Sequence, residues 1–106
     1  MTEEQKLEQQ IKDKELTAPR ITPELLDASI ISEEYYTFDD SKTTICILEL
    51  KNNYKVDGSS FCVSPENFDE EIGKDIAKQN ARDKLWPLLG FLLAEHIKPS
   101  NLLGAD

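Results

Sequence analysis

The longest helical pattern in the chain is NFDEEIGKDIAKQNARDKLWPLLGFLL, at residues 67–93. Ser64-Pro65-Glu66 is expected to open the helical region, and Asn67 offers a second cap, because Glu70 follows it at the spacing of a capping box. Gly73, Ala77 and Ala81 recur at every fourth position and share one side of a helix. Because their side chains are small, the pattern predicts that this side of the helix lies close against a sheet.

A proline interrupts this pattern. Pro87 lacks an N–H and clashes with the preceding turn, so the helix is expected to end or bend near Trp86. The piece after the proline is apolar on nearly every side, which a surface helix does not require. We therefore expect part of it to complete the core or to form a protein interface. The candidate interface residues are Leu88, Leu89, Phe91 and Leu92.

Upstream of the long helix, the sequence predicts a small antiparallel sheet. Residues 43–50, TTICILEL, form the clearest strand pattern, because β-branched and apolar residues dominate it. Lys51-Asn52-Asn53 predicts a tight hairpin, since asparagine tolerates a positive φ. The chain is expected to return as a strand at residues 54–57. Gly58 predicts a bulge or turn, after which residues 60–63 either resume the strand or form a short third one.

A short helix is expected before the sheet. Thr22 can cap it and Pro23 suits its first position, so the prediction is a helix over residues 23–32. Tyr35 and Tyr36 then either extend this helix or begin a strand. The predicted fold class is α+β, with a short N-terminal helix, an antiparallel hairpin or three-stranded sheet, and a long kinked C-terminal helix packed on the sheet.

The chain is expected to form one domain with two appendages. Residues 20–98 are predicted to form the α+β domain, and residues 99–106 a tail. Residues 1–19 are rich in Glu, Gln and Lys, which predicts a flexible acidic extension. Leu7 and Ile11 lie four apart within it, so a helix that docks on a partner or forms an oligomer is the alternative.

The charge of the chain restricts its partners. The net charge is −9 and the isoelectric point about 4.5. Nucleic acid is therefore an unfavoured partner, because binding phosphates needs clustered Lys and Arg. The acidic surface either serves solubility or meets a basic protein surface.

The expected location is the cytoplasm. Cys46 and Cys62 lie in separate apolar runs, outside any CxxC or Cys–His cluster, so free thiols in a reducing compartment are expected. No apolar run approaches the roughly 20 residues needed to span a membrane. The charged residues 1–15 do not resemble a signal peptide. We therefore expect no membrane partner.

The long helical pattern also resembles a known family. It fits N-F-D-x-x-I-G-x-x-x-A-x-x-N-A-x-x-K-x-W-P-L-x-G-x-x-L, which is similar to a family of small hypothetical proteins of tailed phages. The matching residues are Asn67, Phe68, Asp69, Ile72, Gly73, Ala77, Asn80, Ala81, Lys84, Trp86, Pro87, Leu88, Gly90 and Leu93. The resemblance covers residues 20–93. It implies a phage or prophage accessory protein in the host cytoplasm, and it implies no activity and no functional residues.

The sequence contains no recognisable catalytic motif. His96 is the only histidine, and no cysteine or carboxylate flanks it at the spacing of metal ligands or of a nucleophile with its base. No P-loop, GxGxxG or GxSxG pattern occurs. We therefore expect no enzyme activity, no cofactor and no metal.

A basic stripe on the long helix is the first candidate ligand site. Lys74, Lys78 and Arg82 recur at every fourth position, so they can meet a phosphate-bearing ligand together. A solvated face paired with nearby acidic residues is the alternative explanation. Asn80 lies instead in the apolar stripe with Ile72 and Ile76, and it is expected to be a buried amide bonded to the hairpin backbone.

A group of aromatic residues is the second candidate. Tyr35, Tyr36, Phe38 and Trp86 could line a stacking pocket for a nucleotide base, or they could pack in the core. Asn80 and Lys84 near them would favour an anionic ligand that contains a ring. The full set of candidate ligand-binding residues is Tyr35, Tyr36, Lys74, Lys78, Asn80, Arg82, Lys84 and Trp86.

Three classes of function stay open at this point. The favoured one is a stoichiometric inhibitor of a host defence system that binds a host protein or a nucleotide signal, because the chain is small, acidic and without catalytic motifs. The first alternative is a nucleic-acid-associated phage regulator that uses the basic stripe. The second is a structural or assembly protein that forms a homo-oligomer through residues 88–93.

Overall fold

The computed structural model describes residues 2–38 and 42–104. Residues 105 and 106 of the predicted tail lie outside the described residues. The elements in chain order are α1 (Glu3–Asp13), α2 (Pro23–Ala28), β1 (Ile30–Thr37), β2 (Thr43–Leu50), β3 (Lys55–Phe61), a 3₁₀ turn (Pro65–Asn67), α3 (Glu70–Asp83) and α4 (Leu85–Ile97). The predicted α+β class is confirmed, with a three-stranded antiparallel sheet and a long bent C-terminal helical region.

The sheet has the strand order β1-β2-β3, so β2 lies at its centre. Successive residues of a strand point to opposite faces. In β2, Cys46 and Leu48 are fully buried beneath α3, whereas Ile45 and Ile47 lie half-buried on the outer face. The core between sheet and helices consists of Leu26, Cys46, Leu48, Leu50, Val56, Ala77, Ala81 and Leu85. A single layer of helices therefore covers one face of the sheet.

The first predicted helix is shorter than expected. α2 ends at Ala28 and β1 begins at Ile30, so the prediction of helix over residues 23–32 is wrong in its second half. Tyr35 pairs with Cys46 of β2, which resolves the open choice in favour of a strand. β-branched Ile30 and Ile31 suit a strand, and pairing with β2 satisfies the backbone there.

β3 is one continuous strand, so the predicted bulge or turn at Gly58 is wrong. Of the two predictions for residues 60–63, the one in which they resume the strand is right as far as Phe61, and the separate strand is wrong. Gly58 pairs in register with Cys46 and lies beneath α3. A Cβ built on Gly58 would lie 2.1 Å from the Ala81 nitrogen and 2.3 Å from the Ala77 carbonyl oxygen. The glycine therefore allows the helix backbone to approach the strand, and the predicted close face of small residues is confirmed.

The predicted capping box at Asn67 is wrong. Asn67 belongs to the 3₁₀ turn, and the N-cap of α3 is Asp69, whose side chain accepts a hydrogen bond from the Ile72 N–H at 3.0 Å. Glu70 then opens the first turn of the helix, where its charge suits the helix dipole. The 3₁₀ turn displaces the start of α3 by two residues from the predicted cap.

The predicted bend near Trp86 is confirmed. α3 ends at Asp83, α4 begins at Leu85, and the two are bent by 25°. Pro87 lies in the first turn of α4, where a missing N–H costs little. α4 makes its main contacts with α2 and α3. The radius of gyration is 17.1 Å, against about 13 Å for a compact domain of 100 residues.

The hairpin and the N-terminal segment complete the fold. Asn53 has a φ of 69°, which confirms the predicted tight turn between β2 and β3. The predicted flexible extension contains α1, whose N-terminus is closed by a capping box between Thr2 and Gln5. Flexibility of residues 1–19 and the domain bounds stay predictions.

Candidate functional site

The first two cations of the basic stripe lie beside carboxylates. Lys74 Nζ lies 3.4 Å from a Glu70 oxygen, and Lys78 Nζ lies 2.9 Å from a Glu33 oxygen of β1. The hydrogen bond from Lys78 lowers the pKa of Glu33 below its ordinary value. Lys74 also lies 5.7 Å from the ring centre of Tyr35, within cation–π distance. These contacts leave little unpaired positive charge on the stripe.

The third cation, Arg82, lies at the centre of a cluster. Its Nε and Nη2 lie 2.8 and 3.2 Å from the two oxygens of Asp27 in α2, and its Nη1 contacts Glu4 of α1. Its guanidinium carbon lies 5.9 Å from the ring centre of Trp86. The side chain is 11% exposed, and its pKa is raised, chiefly by the hydrogen bond to Asp27. Arg82 therefore joins three helices.

A second arginine pair, which sequence analysis missed, lies next to this cluster. Arg20 Nη1 and Nη2 lie 2.5 and 2.9 Å from the two carboxylate oxygens of Glu8. This fork-to-fork geometry is the strongest form of an arginine–carboxylate pair. The i to i+4 spacing of Glu4 and Glu8 was the signal that could have revealed it, because the two carboxylates share one face of a helix.

The aromatic candidates do not share one face. Tyr35 packs against the core, and burial raises the pKa of its hydroxyl, which donates to Glu33 at 3.1 Å. Tyr36, the next residue, lies on the outer face of the sheet and is half exposed, with its hydroxyl 2.8 Å from Glu34. Trp86 lies beside α1 and α2.

Asn80 and Lys84 lie on the other side of α3, next to β3. Asn80 Nδ2 donates to the Ser59 carbonyl at 2.7 Å, so the predicted bond to the hairpin backbone is present, although the side chain is exposed rather than buried. Lys84 Nζ lies 3.4 Å from Asp57. The candidate ligand-binding residues are thus distributed over three places around α3, and ligand binding by them stays a prediction.

The predicted interface residues lie together on α4. Leu88 and Leu89 are half-buried and pack against the core, whereas Phe91 and Leu92 are 59% and 52% exposed. We call these four residues the α4 apolar surface. Large exposed apolar side chains that occur together mark protein interfaces.

A groove continues the α4 apolar surface towards α2. It has a volume of 330 Å³, and its lining residues are Ile21, Leu25, Ala28, Ser29, Lys51, Leu89, Leu92 and Leu93. Most of this lining is apolar, and Leu25 on its α2 wall is half exposed. A groove of this kind fits an apolar side chain of a bound protein.

Reactive groups are sparse in the described residues. Within residues 2–38 and 42–104, no three His, Cys, Asp or Glu side chains lie close enough together to hold a metal ion. Cys46 and Cys62 are free thiols, and burial raises the pKa of Cys46. In the same part of the chain, no helix has both the length and the apolar character to cross a membrane.

Residues 21–97 match the model of one protein family. The match spans α2 to α4 with all three strands, and α1 lies outside it. No curated protein and no solved structure matches the chain. Since the matched region is well over half of the chain, this protein belongs to the phage protein (N4 Gp49/phage Sf6 gene 66) family.

Proposed function

We propose that this phage protein acts by stoichiometric binding of a host protein, as an inhibitor of a bacterial defence system and without a reaction of its own. The α4 apolar surface is the observation that carries the proposal. Phe91 and Leu92 are more than half exposed on α4, whose main contacts are with α2 and α3. Burying the exposed half of one such side chain in a complex would contribute about 1 kcal/mol to the binding free energy.

Family membership and charge support a host partner. A protein of a phage family is made inside the infected cell, where host proteins are its surroundings. The net charge of −9 favours encounter with a basic surface, because complementary charge speeds association and selects partners. The small size and the sparse reactive groups support binding rather than catalysis.

A nucleotide signal or a nucleic acid is a weaker candidate than a protein. Lys74 and Lys78 already lie beside Glu70 and Glu33, and Arg82 lies between two carboxylates. A phosphate would have to displace these groups and approach the negative charge that they carry. The geometry therefore favours the protein partner among the alternatives that the sequence leaves open.

A homo-oligomer is the second candidate function, and a specific observation favours it. Phe91 and Leu92 are more than half exposed, and a second copy would cover the α4 apolar surface as a host protein would. Sedimentation velocity separates the two. A monomer at micromolar concentration supports the host partner, and a stable dimer supports assembly.

Plating on a host that carries a defence system tests the proposed inhibition. Expression of the chain should raise the plating efficiency of a phage that the defence restricts. Phe91→Asp combined with Leu92→Asp should remove this effect. Val63→Asp combined with Leu103→Asp changes two residues that are 84% and 96% exposed outside α4, and it should behave as wild type. No gain in plating with the wild-type chain would refute inhibition of that defence.

A further inference from the structure

Two arginines hold α1 against the rest of the chain. Arg82 of α3 contacts Glu4, and Arg20 forms its double contact with Glu8 one helical turn further on. Both arginine side chains are largely covered. The two guanidinium groups therefore form a receptor for a pair of carboxylates spaced four residues apart on a helix.

The same face of α1 carries its apolar residues. Glu4, Leu7, Glu8 and Ile11 follow the i, i+3, i+4, i+7 spacing that places residues on one side of a helix. Leu7 and Ile11 therefore point to the same groove as the two carboxylates, and both line it. α1 is an acidic amphipathic helix, and the face that carries both its apolar residues and the two carboxylates is turned towards the groove.

The apolar part of this contact is poorly filled. The groove between α1 and its neighbours has a volume of 710 Å³, with Ile21, Pro23 and Trp86 on the far wall. Leu7 stays 56% exposed although it faces this groove. The charge contacts thus position α1, while more than half of the Leu7 side chain stays exposed to solvent. A helix with larger apolar residues at these two positions would fit better.

α1 also lies outside the family match, which begins at residue 21. Ile21, Pro23, Arg82 and Trp86 lie inside it. The groove wall therefore belongs to the family domain except for Arg20, which lies one residue before the match, whereas α1 lies wholly outside that domain. An eleven-residue helix is marginal on its own, so α1 depends on this contact and can be displaced from it.

We propose that the groove lined by Arg20, Ile21, Pro23 and Trp86, with Arg82 next to Trp86, binds an acidic amphipathic helix of a partner protein, and that α1 is its built-in, displaceable occupant. The partner helix carries two carboxylates four residues apart, with large apolar side chains at the positions of Leu7 and Ile11. This helix-in-groove binding is separate from the α4 apolar surface and does not depend on it.

A competition experiment tests the proposal on the full chain. Glu4→Gln combined with Glu8→Gln removes both charge contacts and releases α1. Glu3→Gln combined with Asp13→Asn removes the same charge from side chains of α1 that do not contact the arginines. The probe is a fluorescein-labelled peptide of residues 2–14, held helical by a lactam between Gln9→Lys and Asp13. Binding is followed by fluorescence anisotropy.

The released variant should bind the peptide about tenfold more tightly than wild type. If α1 leaves the wild-type groove free only about a tenth of the time, the apparent affinity of wild type for the peptide is lowered by that factor. The matched control should bind as wild type does. Leu7→Phe in the peptide should tighten binding, and Glu4→Gln with Glu8→Gln in the peptide, or Arg20→Gln in the released chain, should weaken it.

Two results would overturn the proposal. One is equal affinity of the released variant and wild type, or no binding by the released variant at millimolar peptide. The other is a wild-type dimer in sedimentation that Glu4→Gln with Glu8→Gln dissociates. That dimer would mean that α1 occupies the groove of a second copy.

Discussion

Replacing Gly58 with alanine should destabilise the fold severely, because α3 crosses β3 directly above this residue. The added Cβ would meet the Ala81 nitrogen at 2.1 Å, the Ala77 oxygen at 2.3 Å and the Ala81 Cα at 2.8 Å. All three are backbone atoms, so no side chain can rotate away. Ordinary contact needs about 3.5 Å, and α3 would therefore have to move by more than about 1 Å.

The expected loss is about 3 kcal/mol or more, at or beyond the upper end of the usual cost of overpacking. The total stability of a small domain is about 5–15 kcal/mol, so the variant should unfold at far lower urea. The free energy of unfolding is measured by urea titration, followed by circular dichroism. In a domain of this size the same loss lowers Tm by more than about 12 °C.

Gly90→Ala is the matched control. Gly90 lies inside α4, and a Cβ there would meet nothing within 4 Å. The same substitution should therefore raise stability by up to about 1 kcal/mol through helix propensity. A Gly58→Ala variant within about 0.5 kcal/mol of wild type would refute the close packing of α3 on β3, on which the arrangement of every candidate surface depends.

Asp69→Ala should cost about 1 kcal/mol in urea titration because it removes the N-cap of α3, whereas Asn67→Ala should cost only a few tenths; equal losses would contradict the observed cap. Leu85→Ala should cost about 2–5 kcal/mol, since its side chain is fully buried, and a loss below 1 kcal/mol, about half the lower bound, would contradict that burial. The pKa of Glu33 is lowered in the folded state, so its contact with Lys78 stabilises the fold above the unfolded pKa, and this contribution disappears as pH falls through the folded value. The difference in unfolding free energy between wild type and Glu33→Gln should therefore be present at pH 7 and shrink below pH 4.5, and a pH-independent difference would contradict the ion pair.

Sequence patterns predicted correctly those features that depend on residues close together in the chain. The spacing of small residues placed the contact face of α3, Pro87 placed the bend, and the Asn pair at residues 52 and 53 placed the hairpin. The end of α2 could not be predicted from the neighbouring sequence, because residues 30–37 form a strand by pairing with β2, which is distant in the chain. Gly58 was misread because a glycine in a strand serves a bulge and a close backbone approach equally well.

The candidate sites were harder to predict than the fold. The spacing of Lys74, Lys78 and Arg82 placed them on one helix face, but their carboxylate partners include Glu33 and Asp27 of other elements, which no local pattern shows. Tyr35 and Tyr36 were grouped because both are aromatic, although adjacent residues of a strand point to opposite faces of the sheet. The exposed apolar residues of α4 could be predicted because the composition of the piece after Pro87 is sufficient to show them.

The most direct test of stoichiometric binding is quantitative capture from host lysate with three tagged chains, followed by native mass spectrometry of the recovered complex. Wild type and the Val63→Asp, Leu103→Asp control should both retain the same host protein at a fixed ratio. Phe91→Asp with Leu92→Asp, which should remain folded because both side chains are exposed, should lose it. Capture of the same host protein by all three chains, or of none by wild type, would contradict binding through the α4 apolar surface.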